Sequence, residues 1–154
     1  DVGSLPVPVI IMAIVFAAAY IVLTQTVLGR YIYAIGGNEE AARLSGVNVT
    51  LYKTTAYVLS GVLAAISGII LTARLNSAQP TAGGGYELDA IAAVVLGGTT
   101  LAGGEGSITG TLLGAFIIGV LNNGLNLLNV SSFYQQVVKG VVIILAVLLD
   151  RRLR

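Results

Sequence analysis

The sequence predicts an all-α protein, a polytopic transmembrane helical bundle of about five spans in which one helix is short or broken. Hydrophobic residues make up 56% of the 154 residues and charged residues 10%, and the mean hydropathy is +0.92. A chain of this composition cannot cover an apolar core with a polar surface, so lipid must serve as its solvent. Each helical span needs about 20 residues, which leaves room for about five crossings and their loops.

The first predicted span covers residues 7–28 and begins beside Pro6 and Pro8. Proline is tolerated at the start of a helix because the missing N–H would have no intrahelical partner there. We expect this span to stop at Gly29 and Arg30. A polar segment follows over residues 30–53, and a second span is predicted over residues 54–73.

A short helix is predicted inside the polar segment, in the run GGNEEAARLSGVN. Asn38 is the expected N-cap, Glu39 and Glu40 lie in the first turn, and Gly46 ends the helix. Since nucleation is costly, so short a helix must be held by packing against another surface. From the residues alone, a solvated helix between two spans is the plainer interpretation.

Two further spans are predicted over residues 108–128 and 133–149, followed by a basic tail over residues 150–154. Lysine and arginine collect on the cytoplasmic side, and both the polar segment and the tail carry three of them, so both are expected in the cytoplasm. Two cytoplasmic segments must be separated by an even number of crossings, whereas three strong apolar runs lie between these two. The chain therefore needs one more crossing.

The additional crossing is expected over residues 86–102, with a break at Gly97 and Gly98. A helix of this length spans about 25 Å, less than the roughly 30 Å of the hydrocarbon core. Non-helical backbone at that depth must be packed in protein or face a water-filled cavity. Small residues that recur every four positions, at Gly106, Gly110 and Gly114, predict close helix packing in this region.

Several functions are excluded by residue types that the sequence lacks. Cysteine and histidine are both absent, which excludes disulfides, zinc ligation and imidazole catalysis, and we predict no metal site and no catalytic residue. The net charge of +1 gives no reason to expect nucleic-acid binding. The glycine-rich run GGTTLAGGEGSITG lacks the G-x-x-x-x-G-K-[ST] pattern of a phosphate-binding loop, so we interpret it as a tight turn.

Three long stretches resemble one protein family: LGRYIYAIGGNEEAARLSGVN, ARLNSAQPTAGGGYELDAIAAVVLGGTTLAGGEGSITGTLLGA and LNNGLNLLNVSSFYQQVVKGVVIILAV. They resemble the membrane permeases of bacterial ABC sugar importers, above all those that carry ribose. The resemblance implies that residues 1–154 form a single transmembrane permease domain, the C-terminal half of a longer chain in the inner membrane. It also implies three partners: an ATP-binding subunit, a periplasmic sugar-binding protein and a second permease copy in a homodimer.

In this family a short cytoplasmic helix between spans docks into a groove of the ATPase, which holds the ATP and Mg, so that no cofactor is expected on this chain. The resemblance therefore favours a coupling helix inside the cytoplasmic loop of residues 30–53, and no longer a solvated one. ATP-driven closure of the ATPase would then move the helix as a lever. The residues implied as contacts are Asn38, Glu39, Glu40, Ala41, Arg43, Leu44 and Gly46.

A path for a neutral sugar needs hydrogen-bonding groups without a fixed charge. Asn122, Asn123 and Asn126 form an amide cluster near the outer end of their span, and Asn122 and Asn126 share a helix face. We predict that they line the translocation path, while interhelical hydrogen bonding and solvation at the outer interface remain as alternatives.

The polar segment over residues 76–86 is expected at the periplasmic face, where Gln79, Tyr86 and Glu87 are candidates for contact with the binding protein. A solvated loop explains the same residues equally well. Lys139, which lies a turn or two inside the last span, is expected to snorkel outward.

The main alternative function is an ion-coupled secondary sugar carrier, because broken helices also occur in such transporters. A carrier of that kind usually has an ionisable residue or an unwound ion site in mid-span. The sequence offers neither in an obvious form.

Overall fold

The computed structural model describes residues 6–153, with side chains through residue 148. Every regular element in this part of the chain is an α-helix, which confirms the predicted fold class. The basic tail lies beyond the last described side chain, although the final helix continues to Leu153. The helices are α1 (Val7–Gln25), α2 (Val27–Gly37), α3 (Glu39–Leu44), α4 (Val49–Leu75), α5 (Tyr86–Leu96), α6 (Ile108–Leu127) and α7 (Ser132–Leu153).

Among the described residues, three helices are long and apolar enough to cross a membrane, namely α1, α4 and α6, and the apolar part of α7 covers Ser132–Leu148. The described residues divide into two compact units, the first ending at Gly83 and the second beginning at Gly84. The first unit contains α1 to α4, and the second contains α5 to α7.

The first span ends earlier than the sequence predicted. The helix is interrupted at Thr26, whose extended backbone separates α1 from α2. Gly29 and Arg30 lie inside α2 and do not end a helix. Thr26 itself caps α2 by accepting a hydrogen bond from the Gly29 N–H at 3.4 Å. Gly29 packs against the main chain of Leu23, an approach that leaves no space for a Cβ atom. The glycine thus allows close helix contact at the break.

Helix α4 is longer than the predicted second span, because it starts at Val49 and ends at Leu75. Asn48 caps its N-terminus and accepts a hydrogen bond from the Leu51 N–H at 3.2 Å. Asn76 ends it in the left-handed conformation, with φ of 50°. These caps place the helix ends several residues outside the apolar run that predicted the span.

The second unit contains a short helix in the segment where the even number of crossings predicted one. Helix α5 has 11 residues, about 16 Å in length, and it ends at the predicted break, where Gly98 has φ of +82°. Two close approaches join α5 to α6: Gly97 meets the main chain of Gly110, and Gly114 meets the carbonyl of Ala93. Two residues of the predicted row, Gly110 and Gly114, therefore lie at the contact with α5 and its C-terminal end.

Candidate functional site

Helix α3 has the local structure that its sequence predicted. The Asn38 side chain accepts a hydrogen bond from the Ala41 N–H at 2.9 Å, so it is the N-cap. Glu39 and Glu40 occupy the first turn, where the positive end of the helix dipole favours carboxylates. Gly46 ends the turn with φ of +82°, a conformation that glycine adopts without steric cost.

One face of α3 packs against the neighbouring helices α2 and α4 of the first unit. Ala42 is buried in a small apolar cluster with Ile35 of α2 and Val49 of α4. Tyr52 packs on the same cluster, and its ring meets the Tyr31 ring edge to face at a centroid distance of 4.9 Å. A helix of this length is marginal alone, so these contacts supply the support that we expected.

Glu39 ties α3 to α4 through charge. Its carboxylate lies 2.7 Å from the Lys53 Nζ atom and 3.4 Å from an Arg43 guanidinium nitrogen. The hydrogen bond from Lys53 is the main cause that lowers the pKa of Glu39 from its ordinary value of 4.5; partial desolvation opposes the shift, and the positive charges of Lys53 and Arg43 add to it. Among the predicted coupling residues, Glu39 thus has an intramolecular role.

The opposite face of α3 is open. Leu44 is 80% exposed, and five more of the predicted coupling residues are exposed with it: Asn38, Glu40, Ala41, Arg43 and Gly46. An exposed leucine among charged residues presents apolar surface where a partner can cover it. Contact with an ATPase stays a prediction for these residues.

A polar layer of three side chains lies inside the second unit, which we call the Asp89 cluster: Asp89 of α5, Asn122 of α6 and Lys139 of α7. The Lys139 Nζ atom lies 2.6 Å from Asp89 Oδ1, and the Asn122 amide donates a hydrogen bond to Asp89 Oδ2 at 3.1 Å. The Lys139 and Asp89 side chains are 11% and 20% exposed. One carboxylate thereby joins all three helices of the unit.

The Asp89 cluster corrects the expectation that Lys139 snorkels outward. Lysine extends toward water when its head group has no partner in the membrane, but here Asp89 compensates the charge within the helix packing. The sequence analysis identified neither residue as part of a site. A lysine inside an apolar span is costly unless paired, and that cost was a signal that an acidic partner lies nearby.

The three asparagines predicted to line the path have different surroundings. Asn122 belongs to the Asp89 cluster, while the Asn126 side-chain oxygen accepts a hydrogen bond from Gln135 at 2.8 Å. Asn123 is exposed. Asn122 and Asn126 therefore make the hydrogen bonds between helices that were the alternative interpretation, and their place on a sugar path stays a prediction.

The predicted periplasmic residues are all exposed: Gln79 lies in the loop before α5, and Tyr86 and Glu87 lie in the first turn of α5. The Gln79 carbonyl accepts a hydrogen bond from the Ala82 N–H at 3.2 Å, as part of a turn. Neither that turn nor the exposure of the three residues distinguishes a binding-protein contact from a solvated loop. In the described part of the chain, no group of three or more acidic residues is placed to hold a metal ion.

Comparison with known proteins shows to which family the chain belongs. The family described as "Branched-chain amino acid transport system / permease component" matches residues 2–147. The chain belongs to this permease family. The long apolar helices of the described residues agree with a membrane permease.

Sugar permeases are among the relatives of this chain. It is 68% identical over 149 residues to the ribose import permease of Escherichia coli strain K12, and 64% identical to that of Bacillus subtilis strain 168. It is 47% identical over 150 residues to the xylose transport system permease of Escherichia coli strain K12. Each alignment covers 97% of this chain, but 46% of the two ribose permeases and 38% of the xylose permease. The chain thus spans about half the length of these relatives or less. No solved structure matches it.

Proposed function

We propose that this chain is part of the transmembrane subunit of an ATP-binding-cassette importer that carries ribose, or a closely related sugar, across the bacterial inner membrane. The observation that carries the proposal is 68% identity to a ribose import permease over 97% of the chain. The xylose permease, at 47% identity, supports a pentose as the substrate class. Neither the helices nor the relatives favour the ion-coupled secondary carrier.

The proposed partners follow from this assignment. ATP and Mg bind to a separate ATP-binding subunit, so we assign no catalytic site and no cofactor to this chain. A periplasmic sugar-binding protein delivers the substrate near Gln79, Tyr86 and Glu87, and a second permease copy completes a homodimer. The C-terminal tail lies in the cytoplasm, and the chain corresponds to the C-terminal half of the permease. The upstream coding sequence tests this last point.

Coupling to ATP hydrolysis enters at α3 in this proposal. Its buried face holds the helix to α2 and α4 through Ala42, and its exposed face presents Glu40, Arg43 and Leu44 to the ATPase. A push on the exposed face reaches α4 because the Glu39–Lys53 ion pair and the Ala42 contact join the two helices. Helix α4 is long enough to cross the membrane, so it carries the motion inward.

The proposal is tested in the permease as its gene encodes it, co-expressed with the adjacent ATP-binding subunit and the sugar-binding protein. We expect co-purification with the ATPase and ribose-stimulated ATP hydrolysis in proteoliposomes. Leu44→Ala combined with Glu40→Gln should lower both ribose uptake and stimulated hydrolysis by about tenfold, since contacts at the centre of an interface carry most of its binding energy. The control is Thr50→Ala, an exposed residue of α4. Full activity of the α3 variant in an intact complex would refute the coupling role.

A further inference from the structure

The Asp89 cluster has unused hydrogen-bonding capacity. Asn122 Oδ1 is buried without a hydrogen-bond partner among the described residues, and Asp89 Oδ1 faces Lys139 as an ion pair that lacks hydrogen-bond geometry. A lysine ammonium has three N–H donors, and Asp89 is its only recorded partner in the described part of the chain. The cluster thus combines a free acceptor with free donors.

Free polar groups of this kind are costly inside a protein. A buried acceptor without a partner loses its hydrogen bonds to water and gains none within the protein, and a partly satisfied polar network is less favourable than a fully satisfied one. The neighbouring residues do not relieve this cost: Ala92, Ala93 and Ile118, which form the buried core of the unit, are apolar. A hydrogen-bond partner for Asn122 Oδ1 must therefore come from outside the described residues.

A hydroxyl group matches the chemistry of both side chains. It donates one hydrogen bond and accepts others, so it can donate to Asn122 Oδ1 while accepting from the Lys139 ammonium. Both side chains contact the same Asp89 carboxylate, one at each oxygen, so the acceptor and the ammonium both belong to side chains held at that carboxylate. The positive charge of Lys139 and the negative charge of Asp89 cancel, so a neutral hydroxyl compound meets no net charge.

We propose that the Asp89 cluster is a subsite for hydroxyl groups, in which Asp89 and Lys139 position Asn122 to accept a hydrogen bond from a hydroxyl of the transported sugar. This inference rests on the proposed function, because it assumes that a sugar passes through the second unit. The cluster is closed in this structure, where Asn122 Oδ1 is shielded from solvent. A sugar hydroxyl reaches it when α5, α6 and α7 separate during transport.

A water molecule offers the same hydroxyl chemistry, and the experiment separates the two sources. Uptake of ribose and of its monodeoxy analogues is measured in proteoliposomes that contain the complete importer, over concentrations of the loaded binding protein that extend to saturation. The variants are Asn122→Leu, which removes the acceptor, and the matched control Val120→Leu, which places a leucine at a position of the same helix that is 72% exposed. Uptake is expressed per folded transporter, and thermal stability is measured in parallel.

For a sugar subsite, Asn122→Leu lowers the maximal ribose uptake rate by about tenfold, the effect of one lost hydrogen bond in a polar network. The concentration of loaded binding protein at half-maximal rate stays constant. The wild type transports at least one monodeoxy analogue more slowly than ribose, and the variant loses this discrimination, an effect that a structural role would not produce. The control behaves as wild type in both respects.

A different outcome overturns the subsite. If Asn122→Leu changes only thermal stability and keeps both the rate and the discrimination, the cluster binds a structural water only. If Asn122→Leu does not fold, Asn122→Gln keeps the amide but displaces its oxygen by one methylene, and wild-type uptake by that variant equally refutes the proposal. Ribose uptake by the wild type tests the proposed function, whereas the ratio of the uptake rates of variant and wild type tests the subsite. The proposed function and the subsite can therefore be refuted independently.

Discussion

At the scale of single residues, two of the ion pairs among the described residues, Lys139–Asp89 and Lys53–Glu39, differ in their surroundings. Lys139 and Asp89 meet inside the second unit with most of their surface covered, whereas Lys53 and Glu39 meet with 47% and 42% of their side chains exposed. A buried ion pair adds little net stability, because desolvation offsets the attraction, but removal of one partner leaves an unpaired buried charge. The same substitution should therefore have different consequences at the two lysines.

We predict that Lys139→Met lowers the free energy of unfolding by about 3–5 kcal/mol, because Asp89 remains buried without its counter-charge. The double variant Asp89→Asn with Lys139→Met should recover part of that loss, since neither charge remains. Lys53→Met is the matched control and should change stability much less, because water screens exposed pairs. Denaturant titration of the detergent-solubilised permease measures all three. Equal losses at the two lysines would contradict the prediction.

The pKa of Glu39 gives a second prediction at this scale. Because the folded-state pKa lies below the ordinary value of 4.5, the attraction that holds α3 to α4 is fully present above pH 4.5 and is lost as the pH falls through the folded-state pKa. Carboxyl-carbon NMR of labelled glutamates should show a titration midpoint for Glu39 below 4.5. Lys53→Gln should raise this midpoint more than Arg43→Gln does, and the opposite order would refute the assigned cause.

At the scale of helices, the contact between α5 and α6 depends on glycine. In lipid the driving force between helices comes from close packing, and small residues permit it. Gly97 and Gly110 pack main chain to main chain, and Gly114 lies against Ala93. This contact lets the 11-residue helix α5, which is too short to cross the bilayer alone, pack along a full-length neighbour.

We predict that Gly114→Ala destabilises the permease by about 1–3 kcal/mol, since its methyl group would overlap the Ala93 carbonyl and force the helices apart. Gly119→Ala is the matched control on the same helix, because a Cβ at that position meets nothing within 4 Å. Thermal unfolding in detergent, followed by fluorescence of a reporter dye, compares the two. Equal melting temperatures for both variants would show that the close approach carries no energy.

At the scale of the whole molecule, the number of crossings and the distribution of basic residues predict the orientation. If α5 counts as a crossing, an even number of crossings separates the segment around α3 from the C-terminal tail, and we predict that both are on one side of the membrane. The lysine and arginine counts predict that this side is the cytoplasm. We then expect the loop before α5 on the opposite side, where a periplasmic binding protein could reach it.

Cysteine labelling tests this orientation, and the absence of cysteine from these 154 residues simplifies it. Ser45→Cys lies just after α3 and Thr81→Cys in the loop before α5; both positions are exposed. In intact spheroplasts a membrane-impermeant maleimide should modify Thr81→Cys at once and Ser45→Cys only after permeabilisation. Modification of both positions in intact spheroplasts would mean that α4 does not cross the membrane as a single span.

Features that depend on neighbouring residues along the chain could be predicted from the sequence. Hydropathy placed the long helices, Asn38 and Gly46 delimited α3, and Gly97 and Gly98 ended α5, because caps and helix breaks involve residues within a turn of one another. The break at Thr26 escaped prediction, since a threonine in an apolar run gives no strong signal until its side chain caps the next helix.

Which helix faces contact each other became known only from the tertiary structure. The pairing of Asp89 with Lys139, the tie from Glu39 to Lys53 and the approach of Gly114 to Ala93 join residues on different helices. Hydropathy shows that a helix prefers lipid or protein to water, but it does not distinguish which neighbour covers which face. The Asp89 cluster was therefore present in the sequence only as separate polar residues, and helix packing turned them into one candidate site.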